Sequence, residues 1–531
     1  MKILTASQMR EVDLLTTERY GVPSLVLMEN AGAGVVCEIE KTFGSLQGRV
    51  VAVLCGKGNN GGDGFVVVRH LVMKGCQPQV WLFASPEDLT GDAQINFEIL
   101  RKMGVPILTV SEREFSDEKL AQLFASLHAT IVVDALLGTG VRLPVSDFLS
   151  KVIRQLNMFS GSIVAVDVPS GLDSECLRSE SKPVAPTATL TVTFTAPKPS
   201  HVFSPGAVYS RKWVVIPIGT PEELLEDPRF WLNYVSRSEA AGFRRKLNRS
   251  PEAHKGDFGH VLVIAGSLGK TGAACMTAQS ALRVGAGLVT LAVPTICLPM
   301  VASQSLEIMT EALEATDVGT VSTKAFDYGR TETLLQAKDV IALGPGLGGH
   351  PETVEFVRRL VFQTRLPLIL DADGINAFAG RMELISGADR TLVLTPHPGE
   401  FARLLGISVE SVRVNRIELC RRFAQEHHVH LILKGHGTIY ASPSGQLSVN
   451  STGNPGMATG GSGDVLTGML AGLIGQSLAG AASLEEAIIL AVYLHGLAGD
   501  LAGQTLGEHS LMASDIMTNI SRAFLDLGPD C

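Results

Sequence analysis

Short apolar runs recur along the whole chain, and they restrict it to one class of fold. Each is stopped by a turn of Gly, Asp or Pro and followed by helical spacing. In the first half they are 50–54, 78–83, 130–134, 162–167 and 188–194. In the second they lie within VLVIAGS 261–267, LVTLAVP 288–294, VIALGPGLG 340–348, PLILDADGIN 367–376, LVLTPHPGE 392–400 and HLILKGHGTIY 430–440. Unbroken Val/Ile/Leu runs of strand length are what a parallel sheet covered on both faces requires. Strands that alternate with helices give βαβ units, so the class expected is α/β in three α/β/α layers. Aromatic residues make up only 5% and Gly numbers 55, which suits buried aliphatic strands joined by tight turns.

At 531 residues the chain is long enough for two domains with separate cores. Charge changes sharply between PEELLEDPRF, 221–230, and FRRKLNRSPEAHKG, 243–256, before the next apolar run begins. The expected division is 1–225 and 226–531, with no repeat relating the two parts. A net charge of −9 argues against general nucleic-acid binding. Eight cysteines with no C-x-x-C pair suggest neither a zinc site nor a disulfide framework. The opening MKILTASQMREVDLL has no apolar signal core, and Thr5 is placed to cap an amphipathic helix. No apolar run approaches the length of a membrane span. A cytoplasmic protein without a membrane partner is expected.

Two glycine-rich stretches carry most of the chemistry. In NPGMATGGSGDVLTG, 454–468, Gly456, Gly460, Gly461 and Gly463 lead to Asp464 and an apolar helix. Such a loop crowds backbone N–H groups around an anion at the positive end of a helix. An aspartate there cannot hold phosphate by charge, so its expected work is to take a proton from a hydroxyl during phosphoryl transfer. The bland alternative is a helix N-cap. In CGKGNNGGDGFVVVRHL, 55–71, the loop follows a strand and precedes a helix marked by Phe65, Val66, Val68 and Leu71. It lacks the G-x-G-x-x-G order; Asn59, Asn60 and Asp63 instead offer oxygens to a hard cation or to ribose hydroxyls. Lys57 reads as a solvated lysine. Two further strands end in polar loops, IVVDALLGTGVRLP 131–144 at Asp134 and SIVAVDVPSGLDS 162–174 at Asp167. Ligands of doubly wound sheets sit at such carboxyl ends.

Taken in order, GNNGGDG, VDALLGTG and VDVPSG, then GSLGKTGAACMTAQSALRVGAGLV, GPGLG, DADGIN, TPHPGE, KGHGT and NPGMATGGSGDVLTG, these motifs cover nearly the whole chain. The set resembles the family of bifunctional NAD(P)H-hydrate repair enzymes. In that family an NAD(P)H-hydrate epimerase is fused to an ADP-dependent (S)-NAD(P)H-hydrate dehydratase. The resemblance implies an N-terminal Rossmann-like epimerase domain and a C-terminal ribokinase-like dehydratase domain. It implies that Asn59, Asn60, Gly61, Gly62 and Asp63, together with Gly138, Thr139, Gly140, Val141, Arg142, Leu143 and Pro144, contact the hydrate. Asn60, Asp134 and Ser170 would bind K+, and Asp167 would touch the reacting ring as acid on departure of the hydroxyl and base on return of water. In the second half the hydrate would lie near Ala273, Gly346, His397 and Asp464. The nucleotide, carried with Mg2+, would lie on Lys434, Gly435, His436, Gly437 and Thr438, with Gly461, Ser462 and Gly463 as the anion hole. Asp371, Asp373 and Glu400 stay open as magnesium or phosphate-water contacts.

The partners implied are the hydrates NADHX and NADPHX, ADP, and further copies of the chain in a homo-oligomer. Two other classes fit parts of the pattern: a ribokinase-like kinase of a vitamin precursor or sugar, and a nucleotide-sensing first half that regulates the second. The sequence does not choose between ADP and ATP, or between the NADH and NADPH hydrates.

Overall fold

The computed structural model describes residues 1–141, 143–175, 183–247 and 249–528. It contains two compact units, Met1–Trp231 and Leu232–Cys531.

In the first unit seven strands form one sheet. They are β1 (Val50–Cys55), β2 (Gln77–Leu82), β3 (Ile107–Thr109), β4 (Ile131–Ala135), β5 (Ser162–Val166), β6 (Leu190–Phe194) and β7 (Lys212–Ile216). Their order is β3-β2-β1-β4-β5-β6-β7, with every neighbouring pair parallel. Side chains alternate across a strand. Accordingly Val51, Val53 and Cys55 enter one apolar cluster, and Ala52 and Leu54 enter another on the opposite face. Both faces are therefore covered, which is why β1 reads as an unbroken apolar run rather than an alternating one. The strand order reverses between β1 and β4, and there the two following loops diverge and leave a crevice.

The opening helix, Ala6–Tyr20, begins as expected at Thr5. Thr5 Oγ1 accepts from the Gln8 amide at 3.2 Å, and Gln8 Oε1 accepts from the Thr5 amide at 3.0 Å. Losing such a cap costs about 1 kcal/mol.

In the second unit the strands are β8 (Leu232–Tyr234), β9 (His260–Ile264), β10 (Leu288–Pro294), β11 (Met309–Leu313), β12 (Val340–Leu343), β13 (Leu368–Leu370), β14 (Leu392–Leu394), β15 (His430–Leu433), β16 (Ile439–Ala441) and β17 (Leu447–Val449). The sheet order is β11-β10-β9-β12-β13-β14-β15-β16-β17-β8. The strands from β11 to β15 are parallel; β16 is antiparallel to both of its neighbours. The run 430–440 is thus two strands and a turn, not one strand. Helix Ser462–Ser477 packs on helix Thr271–Arg283 through glycines. A Cβ on Gly468 would stand 2.0 Å from the Thr277 carbonyl oxygen, and one on Gly472 would stand 2.5 Å from Val284 Cγ2.

One expectation is corrected here. Helix Leu484–Leu506 is long and apolar enough to cross a membrane by length and composition. It lies against helices Ser462–Ser477 and Ala513–Asp526, and residues from Ala487 to Ala502 enter the apolar core. A helix apolar on all sides is explained by burial within the unit.

Candidate active sites

In the first unit the glycine stretch is helical earlier than expected. Helix Asn59–Met73 starts at Asn59, so Asn59 to Asp63 form its first turn rather than a loop. The glycines permit close packing of that turn. A Cβ on Gly61 would lie 1.9 Å from the Gly56 carbonyl oxygen, and one on Gly62 would lie 2.7 Å from Met28 Sδ. Across the crevice, Gly138 lies against Asn60, where an added Cβ would meet Asn60 Oδ1 at 3.2 Å. Thr139, Gly140, Val141, Leu143 and Pro144 continue this loop, with Val141 N donating to the Gly138 carbonyl. Arg142 lies outside the described residues.

Asp134 is the penultimate residue of β4 and is fully buried. Its Oδ2 accepts from the Ser170 amide at 2.9 Å, and its Oδ1 accepts from the Ser170 hydroxyl at 2.6 Å. Burial pushes its carboxyl up to about 6, against the pull of these hydrogen bonds. Ser170 Oγ also stands 3.2 Å from the Leu137 carbonyl oxygen and accepts from the Leu137 amide. The amide nitrogen of Asn60 is buried with no hydrogen-bond partner. The donor set is all oxygen, with a buried carboxylate at its centre, and it fits a hard cation rather than a soft one.

Asp167 follows β5 with φ of 65°, a left-handed conformation rare for a residue with a side chain. Its amide donates to the Val192 carbonyl, and its carboxylate accepts from Lys198 Nζ at 2.5 Å and from Thr193 Oγ1 at 2.9 Å. Burial alone would raise this carboxyl; Lys198, with His201 and Thr193, outweighs it and holds the group below the usual range. Asp63 moves the other way. Its burial, reinforced by Asp167 and Asp13, pushes the carboxyl well above the usual range. Asp13, on the opening helix, is also raised by burial, to about 6. The two neighbouring carboxyls are thus shifted in opposite directions, Asp63 upward and Asp167 downward.

Thr193, Lys198, His201 and Asp13 were not foreseen in the sequence. The signal for the first three was TFTAPKPSH, 193–201, a lysine flanked by two prolines directly after a strand.

In the second unit, Asp464 stands in the first turn of helix Ser462–Ser477, whose N-cap is Gly461 with φ of 96°. The first-turn amides of Ser462, Gly463 and Asp464 have no partner within the helical ladder by its geometry. Gly463 faces Lys434: an added Cβ would meet Lys434 Nζ at 3.2 Å. Lys434 Nζ donates to Asp371 Oδ1 at 2.7 Å and lies 4.0 Å from Glu400. Thr467 Oγ1 donates to the other Asp371 oxygen at 2.8 Å. Burial raises the Asp464 carboxyl to about 6; Asp371 adds to the rise, Lys434 opposes it, and Asp373 and Glu400 add to it. A group so placed titrates close to neutrality, where a general base works best.

Gly346 and Ala273 are brought together, since a Cβ on Gly346 would lie 3.1 Å from Ala273 Cβ. Asp373 Oδ2 accepts from the Gly348 amide at 2.8 Å. His397 caps helix Pro398–Leu405: its Nδ1 accepts from the Gly399 and Glu400 amides, and its own amide donates to Glu400 Oε2. Its Nε2, beside Glu400 at 3.4 Å, is the ring atom left for a ligand. Gly435, His436, Gly437 and Thr438 form the turn between β15 and β16, closed by the Thr438 hydroxyl donating to the Gly435 carbonyl at 2.9 Å. Lys434 therefore parts company with them, its ammonium turned into the carboxylate cluster. Thr467 was not foreseen as the partner of Asp371; on a largely apolar helix, its hydroxyl looks like one more buried residue.

Comparison with known proteins agrees with this division of chemistry. A family model described as NAD(P)H-hydrate dehydratase matches residues 261–522, and one described as YjeF-related protein N-terminus matches residues 24–200. The bifunctional NAD(P)H-hydrate repair enzyme Nnr of Moorella thermoacetica is 43% identical, over 97% of this chain and 95% of its own. That of Thermofilum pendens is 38% identical, over 100% of this chain and 97% of its own. Among solved structures, the ADP/ATP-dependent NAD(P)H-hydrate dehydratase of Bacillus subtilis, co-crystallised with ATP/Mg2+, is 29% identical with a TM-score of 0.46. It covers 56% of this chain and 99% of its own. Identity of this degree along the full length shows descent, and the chain belongs to the family of bifunctional NAD(P)H-hydrate repair enzymes.

Proposed function

We propose that the first unit epimerises the hydrates of NADH and NADPH at C6, and that the second dehydrates the S form at the expense of ADP, releasing AMP and phosphate. The observation that carries this reading is the base-like Asp464 at the mouth of a glycine-capped helix, beside the Lys434–Asp371 ion pair.

The chemistry follows from leaving groups. Hydroxide is the conjugate base of an acid of pKa ~15.7, whereas inorganic phosphate leaves as a dianion whose conjugate acid has a pKa of roughly 6–7. The difference of about nine units is worth up to ~12 kcal/mol if fully expressed. Asp464 takes the proton of the C6 hydroxyl as that oxygen attacks the terminal phosphoryl group. The Ser462 and Gly463 amides and Lys434 hold the phosphoryl oxygens through the transfer. The nicotinamide nitrogen then expels phosphate, and the resulting iminium loses a C5 proton to water, which restores the C5–C6 double bond of NADH. Asp371 keeps Lys434 aimed at the transferred group, and Asp373 and Glu400 offer hard oxygen donors suited to the magnesium that accompanies the nucleotide.

In the first unit the same ring nitrogen expels water. Asp63, its carboxyl raised by burial and by Asp167 and Asp13, supplies the proton to the departing hydroxyl. Asp167, held as a carboxylate, faces the iminium cation and accepts a proton from water returning on the other face. A potassium ion on Asn60, Asp134 and Ser170 would supply fixed positive charge that ties the β1, β4 and β5 loops together.

The test is a hydrate mixture epimeric at C6, given to the full chain with excess ADP while NADH is followed by absorbance. Recovery is expected to run to completion. In Asp167→Ala the fast phase is expected to stop at the S fraction. Complete fast recovery in Asp167→Ala would remove the epimerase assignment.

A further inference from the structure

Lys198 is among the most deeply buried charged groups of the described residues, with a side chain only 1% exposed. Its ammonium makes three contacts, to Asp167 Oδ1 at 2.5 Å, Thr193 Oγ1 at 2.8 Å and the Phe194 carbonyl at 3.3 Å. A cation so placed is kept only where a partner compensates its lost hydration. The segment around it is folded onto one residue. The Lys198 amide donates to His201 Nδ1 at 2.9 Å, so that nitrogen is the acceptor and the ring proton sits on Nε2. His201 Nε2 then donates to the Asp167 carbonyl at 2.9 Å. Burial, with Lys198 beside it, holds the His201 ring down to about 4, so it stays neutral. Residues 192–201 thus grip Asp167 at four points: amide, carbonyl and twice at the carboxylate.

We propose that Lys198 is a positioning residue of the epimerase site, fixing both the aim and the charge of the Asp167 carboxylate. It acts through Asp167 and does not touch the ring itself. This rests on the reading of Asp167 given above. The strained φ of Asp167 fits the same role, because such a conformation persists only where the surroundings over-determine it. The groups facing Asp167 are Lys198, His201 and Thr193 from its own side, Asp13 from helix Ala6–Tyr20, and Asp63 from helix Asn59–Met73. Of these only Lys198 brings a positive charge at neutral pH. Take it away and burial acts alone, with two more carboxyls nearby; the Asp167 carboxyl then rises and the base is lost near neutrality.

The experiment compares pH profiles of epimerisation for the full-length wild type, Lys198→Met, Lys198→Arg and Asp167→Asn, with the thermal melt of the first unit, followed by circular dichroism on the fragment 1–231 of each variant and on the full chain, as the check on folding. Lys198→Met is expected to lose roughly 10²-fold at pH 7 and to regain a large share of that loss as pH rises, because Asp167 ionises later. Lys198→Arg keeps the charge and is expected to retain a profile close to the wild type, at reduced rate. A Lys198→Met profile parallel to the wild type, with Asp167→Asn inactive, overturns the inference alone. An Asp167→Asn variant of normal rate overturns the reading of Asp167 and this inference with it.

Discussion

Asp464 and Asp167 are both half-buried aspartates beside glycine-bearing turns, yet their surroundings shift them in opposite directions. Around Asp464 burial, reinforced by the carboxylates of Asp371, Asp373 and Glu400 against the one ammonium of Lys434, raises the carboxyl to about 6. Around Asp167 an ammonium in direct contact wins, and the carboxyl falls. Asp464→Asn preserves shape and removes the proton acceptor, so dehydration is expected to drop roughly 10²–10⁴-fold while epimerisation is unchanged. In the wild type the dehydration rate is expected to rise with pH through about 6, since the base must be unprotonated to act. A rate flat from pH 5 to 8, or an Asp464→Asn variant of near-normal rate, would leave the loop as a binding element only.

At the scale of elements, the strands buried on both faces were legible and the exposed edge strands were not. β1, β4, β5 and β10 announce themselves by unbroken Val, Leu and Ile, because both faces of a central strand are buried. β3, at the sheet edge, has three residues, Ile107 to Thr109, none of them buried, and β11, Met309 to Leu313, is mostly exposed. Neither carries the hydrophobic signal by which a strand is read. β8 is held in the sheet by β17 alone, a pairing across more than two hundred positions that no local pattern reveals. The site shows the same limit. Asn60, Asp134 and Ser170 belong to glycine-bearing motifs at or after strand ends, which drew the eye to them; Lys198 and Thr467 were hidden, one between two prolines and one in a largely apolar helix. What the turns predicted they also test. With oxygen donors from the ends of β1, β4 and β5, epimerisation is expected to fall when potassium is replaced by lithium and in Asp134→Ala. Equal rates in both salts would remove the cation from the site.

At the scale of the molecule, the two units have separate sheets and separate cores, and β8 belongs with the second because it pairs with β17. Fragments 1–231 and 232–531 are expected to fold alone, the first epimerising without nucleotide and the second dehydrating only the S hydrate. Two inactive fragments beside an active full chain would mean that each unit needs the other. The central claim is that phosphate turns a poor leaving group into a good one, and the balance sheet of the reaction tests it most directly. NADH, AMP and inorganic phosphate are to be counted together while the full chain, with ADP, consumes the hydrate. The account predicts equal amounts of all three and no lasting phosphorylated hydrate. NADH formed without loss of ADP, or a stable phosphorylated product, would contradict it, and the stable product would mark a small-molecule kinase instead.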